Sequence, residues 1–189
     1  MARRYDSSRR KQAAEQTRER IVDAALKLHR DGITEYQSLA REAGCSLASV
    51  RKHFPSKEAL YRDCTRTFAE SLAMPDLDAL GRITDPARRL EETVSELCRI
   101  HEAMFGYAWF GAHSRKDSPA LEAEMRAYEG LADAITAIVV PKDAPRFPLV
   151  RGLLDFLTYR ALRLSGELAP EPARQELIAT IRPIVPGGE

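Results

Sequence analysis

The chain has little cysteine, and what it has is scattered. Cys45, Cys64 and Cys98 are the three among 189 residues. They have no C-x-x-C spacing, so the sequence writes neither a disulfide framework nor a zinc ribbon, and free thiols in a reducing cytoplasm are expected. His29, His53, His101 and His113 show no H-E-x-x-H spacing, so no metal site is expected. No run of about 18 apolar residues is present to make a transmembrane helix. Arg3 and Arg4 have no apolar stretch behind them, which is not the pattern of a secretory leader. Strand-like alternation is scarce. No nucleophile elbow, phosphate loop or paired-carboxylate motif is found. The expectation is therefore a protein that is not an enzyme, takes no cofactor and does not enter a membrane.

What is present is helical periodicity and an uneven charge. The length allows one good core or two small domains. Residues 1–66 carry 15 Lys and Arg against 9 Asp and Glu, a net +6, and the remainder carries −5. Basic charge gathered at one end is an electrostatic footprint for phosphates, although a merely solvated surface has the same composition. Residues 1–15, with Arg3, Arg4, Arg9, Arg10 and Lys11, have no apolar stripe and read as a basic flexible arm. Ile21, Ala24, Ala25 and Leu28 then share one helix face over Thr17 to Asp31, and Gly32 is placed to stop it.

The stretch Ser38 to Leu60, SLAREAGCSLASVRKHFPSKEAL, reads as two short helices joined by a glycine turn, then a third after Phe-Pro-Ser. Thr34-x-x-Gln37 has the form of a capping box for the first, about Glu35 to Ala43. The turn is Ala43-Gly44-Cys45. Ser46 is placed to cap the next helix, about Leu47 to His53, which presents Ser49, Arg51, Lys52 and His53. A short helix, a tight turn and a second helix with a polar outer face form the helix-turn-helix pattern, whose second helix enters the DNA major groove. Arg51 suits guanine O6 and N7; Lys52 suits a phosphate or the same edge. Leu47 and Ala48 suit a thymine methyl. Lys57, in the first turn of the following helix, is placed for a phosphate. Thr34 is a weaker candidate for phosphate, and His29 reads as a packing residue.

TRERIVDAALKLHRDG, SLAREAGCS and HFPSKEALY together resemble the DNA-binding domain of the TetR family of bacterial transcriptional repressors, from about Thr17 to Phe68. The strongest pieces are Ala40-x-x-Ala43-Gly44-x-Ser46 and His53-Phe54-Pro55-Ser56-Lys57-Glu58-x-Leu60. The chain departs from the family pattern at Arg51, usually Tyr; at Leu47, often Lys; at Ala48, often Gly or Pro; and at His29, usually Phe. The resemblance implies an all-α fold of about nine helices. It would have a helix-turn-helix domain over 16–72 and an effector-binding and dimerisation domain over 73–189. It also implies that Ser49 and His53 lie near phosphate, and Ser46 is counted with them among the DNA-binding residues.

Beyond residue 72, Asp85-Pro86 opens a helix to about Phe105. Gly106 and Gly111 bracket an aromatic segment at a break between helices, where a cavity can open. Further helices follow over Ser118 to Val140, Leu149 to Leu168 and Glu171 to Ile181. His101, Met104, Tyr107, Trp109, Phe110, His113, Tyr128, Phe156 and Tyr159 are the types that line an apolar ligand pocket, and equally those that fill a helical core. Leu153, Leu157, Leu162, Leu177, Ile178 and Ile181 are candidates for a homodimer seam. The leading expectation is a homodimeric repressor released from a double-stranded, pseudopalindromic operator by a mainly apolar or aromatic small effector. A small-molecule carrier or enzyme that retains a basic N-terminal domain, and a regulator without an effector, remain open beside it.

Overall fold

The computed structural model describes the backbone of residues 2–185 and the side chains of residues 8–185. Among these every regular element is helical. The α-helices are α1 Ala2–His29, α2 Tyr36–Glu42, α3 Leu47–His53, α4 Lys57–Ser71, α5 Leu77–Gly81, α6 Pro86–Ala103, α7 Phe105–Ser114, α8 Pro119–Val139, α9 Phe147–Leu153, α10 Phe156–Leu164 and α11 Pro170–Ile181. Short 3-10 turns follow α7 and α11. No described helix is long and apolar enough to cross a membrane. The chain forms two compact units, Met1–Ser71 with Trp109–Glu124, and Leu72–Ala108 with Met125–Glu189.

In the first unit, Ile21, Val22, Ala24 and Ala25 of α1 pack with Leu39 and Ala40 of α2, Val50 of α3, Phe54, and Leu60 and Cys64 of α4. Two glycine stops bend the chain around that core. After α1, Gly32 N–H donates to His29 O and Ile33 N–H to Leu28 O, both at 3.0 Å. After α2, Gly44 N–H donates to Arg41 O at 3.2 Å and Cys45 N–H to Ala40 O at 2.9 Å. Both are Schellman closures, and they set Gly32 at φ +74° and Gly44 at φ +61°, the left-handed region that a side chain disfavours. Phe110 of α7 also belongs here, its ring stacked on His29 at 5.1 Å and edge-on to Tyr61 at 5.7 Å.

The first helix differs from its sequence reading. It begins at Ala2 rather than near Thr17, because nothing between them breaks a helix: there is no Gly or Pro, and side chains 8–16 stay exposed. The side chains of Arg3 and Arg4 lie outside the described residues.

In the second unit α11 lies along α6, α5 also meets α6, and α10 touches α6, α9 and α11. Asp85 caps α6 through Ala87 N–H at 3.1 Å, with Pro86 in the first turn as its sequence suggests. The helix expected over Leu149 to Leu168 is two helices, because Asp155 accepts from Leu157 N–H at 2.9 Å and starts α10 anew. Gly106 and Gly111 do not mark a break. They lie inside the continuous α7, and the chain turns instead at Met104, the residue that ends α6.

Candidate nucleic-acid interface

Ser46 sets the start of α3, as its position in the sequence suggests: its Oγ accepts from Ser49 N–H at 3.1 Å. Val50 faces inward, fully buried, and Phe54 closes the helix onto the core. That burial turns Arg51 and Lys52 to solvent. At the other end of the motif, the Tyr36 hydroxyl donates to Phe54 O at 3.0 Å and ties the start of α2 to the end of α3. The capping box expected at Thr34 and Gln37 does not form; Glu35 precedes α2 without a side-chain cap bond. Thr34 Oγ1 accepts instead from Lys57 Nζ at 3.0 Å.

Several cations of this unit are committed to internal partners. Arg18 pairs with Asp63 at 2.6 Å, donates to His53 O at 3.0 Å and lies over the Phe54 ring. Lys27 pairs with Glu42 at 2.5 Å and Arg66 with Glu70 at 3.1 Å. Arg51 and Lys52, by contrast, make no hydrogen bond or ion pair among the described residues. Arg51 borders a groove of about 490 Å³ with Glu35, Tyr36, Gln37, Leu47, Pro55, Ser56 and Lys57. Ala48 is exposed, and Leu47, Ser49 and His53 are half-buried. Of the predicted residues, Leu47, Arg51 and Lys57 thus line one groove, while His53 anchors Arg18 through its carbonyl. The sequence reading missed Tyr36 as the tie between α2 and α3, and Arg18 as the clamp on the end of α3.

The predicted ligand residues separate. His101, Met104, Tyr128, Phe156 and Tyr159 come together in the second unit, all buried. His101 is 1% exposed and both of its nitrogens are engaged. Nε2 bonds Leu154 O at 3.0 Å and Nδ1 bonds the Tyr128 hydroxyl. A carbonyl only accepts, so Nε2 carries the proton, and Nδ1 accepts from Tyr128 O–H. Burial pushes the imidazole down to about 4 and raises the Tyr128 hydroxyl. Leu154 ends α9, so the histidine satisfies a carbonyl freed by the α9–α10 break. Tyr159, pushed up to about 12 by burial, donates to Glu102 at 2.7 Å. In this structure the five are packing and internal bonding.

Trp109, Phe110 and His113 lie in the first unit, around a groove of about 350 Å³ shared with Arg30, Asp31 and Gly32. Tyr107 is half-buried on α7. His29 packs as expected, though more deeply, at 2% exposed. Its Nε2 has no partner among the described residues, and burial, with Lys57 nearby, pushes the ring down to about 4.

Of the proposed seam residues, Leu157 is 53% exposed and Leu153 and Leu162 are half-buried, but Leu177, Ile178 and Ile181 are at most 7% exposed. In the single chain those three are buried, on the helix that packs along α6. Cys64 and Cys98 are buried free thiols, each pushed up to about 12 by burial.

One unit holds a capped helix-turn-helix and the other is likewise all helical, and solved structures share this fold. The chain is 18% identical to the hemolysin II transcriptional regulator HlyIIR, with 88% of this chain and 97% of that one aligned at a TM-score of 0.62. A transcriptional regulator from Rhodococcus sp. Rha1 aligns at 24% identity over 91% and 97% of the two chains, TM-score 0.57. A TetR/AcrR-family transcriptional regulator from Aquifex aeolicus VF5 aligns at 16% identity over 89% and 99%, TM-score 0.56. The chain therefore has the all-α fold of TetR-type regulators. No protein-family model matches the chain, and no curated protein does.

Proposed function

We propose that this protein is a sequence-specific DNA-binding transcriptional regulator, a homodimeric cytoplasmic repressor without catalytic activity. The observation that carries the reading is α3. Ser46 caps it, Val50 and Phe54 fix its inner face, and its outward Arg51 and Lys52 are left without an internal partner, whereas Arg18, Lys27 and Arg66 are each paired with a carboxylate. Holding a cation uncommitted on a rigid helix suits a partner rich in phosphates and base edges. Lys57, beside Arg51 along the same groove, supplies a backbone contact. The shared fold with transcriptional regulators supports the same reading.

Two such helices in a homodimer would read two half-sites. The seam we assign runs along α9 and α10 through Leu149, Leu153, Leu157 and Leu164. Three of these, Leu149, Leu157 and Leu164, are among the large apolar side chains that remain exposed. A mainly apolar or aromatic effector would bind in the groove beside Trp109, Phe110 and His113 and favour a conformation with lower DNA affinity.

Selection of duplexes from random DNA by the purified protein tests the reading. The expected product is an enriched sequence with two-fold-related half-sites. Recovery of an unenriched pool, with binding that no competitor sequence distinguishes, removes it.

A further inference from the structure

Glu58 is the second residue of α4, next to Lys57, and its carboxylate is turned away from the DNA-facing groove onto the start of another helix. Ser118 precedes α8 and is 3% exposed. Its hydroxyl donates to Glu58 Oε2 at 2.5 Å. Ala120 N–H, in the first turn of α8, donates to Glu58 Oε1 at 2.9 Å. Ser118 Oγ in turn accepts from Leu121 N–H at 3.3 Å. Arg62 stands one turn along α4 at 3.8 Å from the same carboxylate. One carboxylate thus satisfies an open N–H at the head of α8, lies at the positive end of that helix, and ties it to the turn of α4 that carries Lys57. All of these residues belong to the first unit.

We propose that Glu58 is a positioning residue for DNA binding: through Ser118 and Ala120 it holds the first turn of α4 so that Lys57 meets phosphate. The proposal rests on the DNA-binding reading and adds to it the regulation of that surface, because any rearrangement of the head of α8 must break these bonds or move Lys57. The bonding suits such a joint. A glutamine offers one acceptor where two donors converge, and sets its own N–H groups against the other donor. A buried or half-buried donor left without its charged acceptor is costly, so the joint is held firmly until both bonds are lost together.

The sign of the effect separates this role from plain electrostatics. Removing a negative charge beside a DNA-facing lysine strengthens attraction for phosphate. Removing a positioning residue weakens binding. The experiment is titration of the full-length protein with a duplex recovered by selection, comparing wild type, Glu58→Gln, Ser118→Ala and the charge control Glu70→Gln, each also in a Lys57→Ala background. Circular dichroism confirms helix content at the binding temperature. Glu58→Gln is expected to weaken binding roughly tenfold, the scale of one charge-assisted hydrogen bond. Ser118→Ala, which changes no charge, weakens it by a smaller factor, and Glu70→Gln does not weaken it. Both losses shrink to nothing when Lys57 is already alanine.

Should Glu58→Gln fail to fold, Ser118→Ala carries the same comparison. Binding by Glu58→Gln as tight as or tighter than wild type overturns the proposal and leaves the DNA reading standing, and so do losses that persist undiminished on Lys57→Ala. A wild-type protein that binds no duplex overturns the DNA reading, and the proposal falls with it.

Discussion

His29 in the first unit and His101 in the second are both buried, at 2% and 1% exposed, and burial pushes both down to about 4. They differ in what their nitrogens do. His101 donates to the carbonyl that ends α9 and accepts from Tyr128, so the second unit has a polar group where a helix break needs one. His29 lies between Phe110 and Tyr61 with its Nε2 unmatched among the described residues, so the first unit uses an imidazole as a ring. The contrast extends to other side chains of the two units. The second turns polar groups inward and commits them, as Tyr159 to Glu102 and Arg151 to Asp133 and Asp155. The first leaves Arg51 and Lys52 outside and uncommitted. Polar side chains that a fold has not used for itself are the ones available to a partner.

The largest effect expected from this contrast is on His101. His101→Phe keeps the ring volume but leaves Leu154 O and the Tyr128 hydroxyl buried without partners, and each such group costs about 1–3 kcal/mol. A urea titration is expected to show a loss of about 2–4 kcal/mol. A loss well under 1 kcal/mol would mean that the two histidines are equivalent after all.

Acid comes next. Each histidine has a folded value near 4 against about 6.5 unfolded, so the unfolded chain binds more protons between those limits. Stability is then intact above about pH 6.5 and falls as pH drops toward 4, by at most about 3 kcal/mol for each histidine. Urea midpoints across that window check it. A midpoint that rises with acid contradicts the burial assigned to both rings.

Which parts of this were legible beforehand follows distance along the chain. Gly32, Gly44, Ser46 and Asp85 act on atoms two to five residues away, and their roles can be read from local pattern. Glu58 meets Ser118 and Ala120 across some sixty residues, and no local pattern encodes that. The same limit explains the seam residues. Leu157 and Ile178 are both apolar helix positions, and nothing in either helix says that one is exposed and the other buried within the chain. Thr34 misled because its spacing to Gln37 fits a cap while Lys57 competes for its hydroxyl. Gly106 and Gly111 misled because glycine permits a break without requiring one.

The smallest expected effect is at His29. His29→Phe removes a buried nitrogen without a partner and keeps stacking on Phe110, so stability at pH 7 is expected to change by less than about 1 kcal/mol, in either direction. The same variant is expected to lose its share of the acid sensitivity. Urea curves at pH 7 and pH 5 measure both. A large loss at pH 7 would reveal a bond that the ring makes and would erase the contrast with His101.

Affinity of Arg51→Ala for a selected duplex, and for single-base variants of that duplex, tests most directly whether the uncommitted cations of α3 serve DNA. The expected result is a loss of about 1–3 kcal/mol with relaxed preference at particular base positions. Lys57→Ala is expected to weaken all variants alike and to flatten the salt dependence by about one unit. Wild-type affinity with wild-type base preference for Arg51→Ala would contradict the assignment of α3 as the reading element.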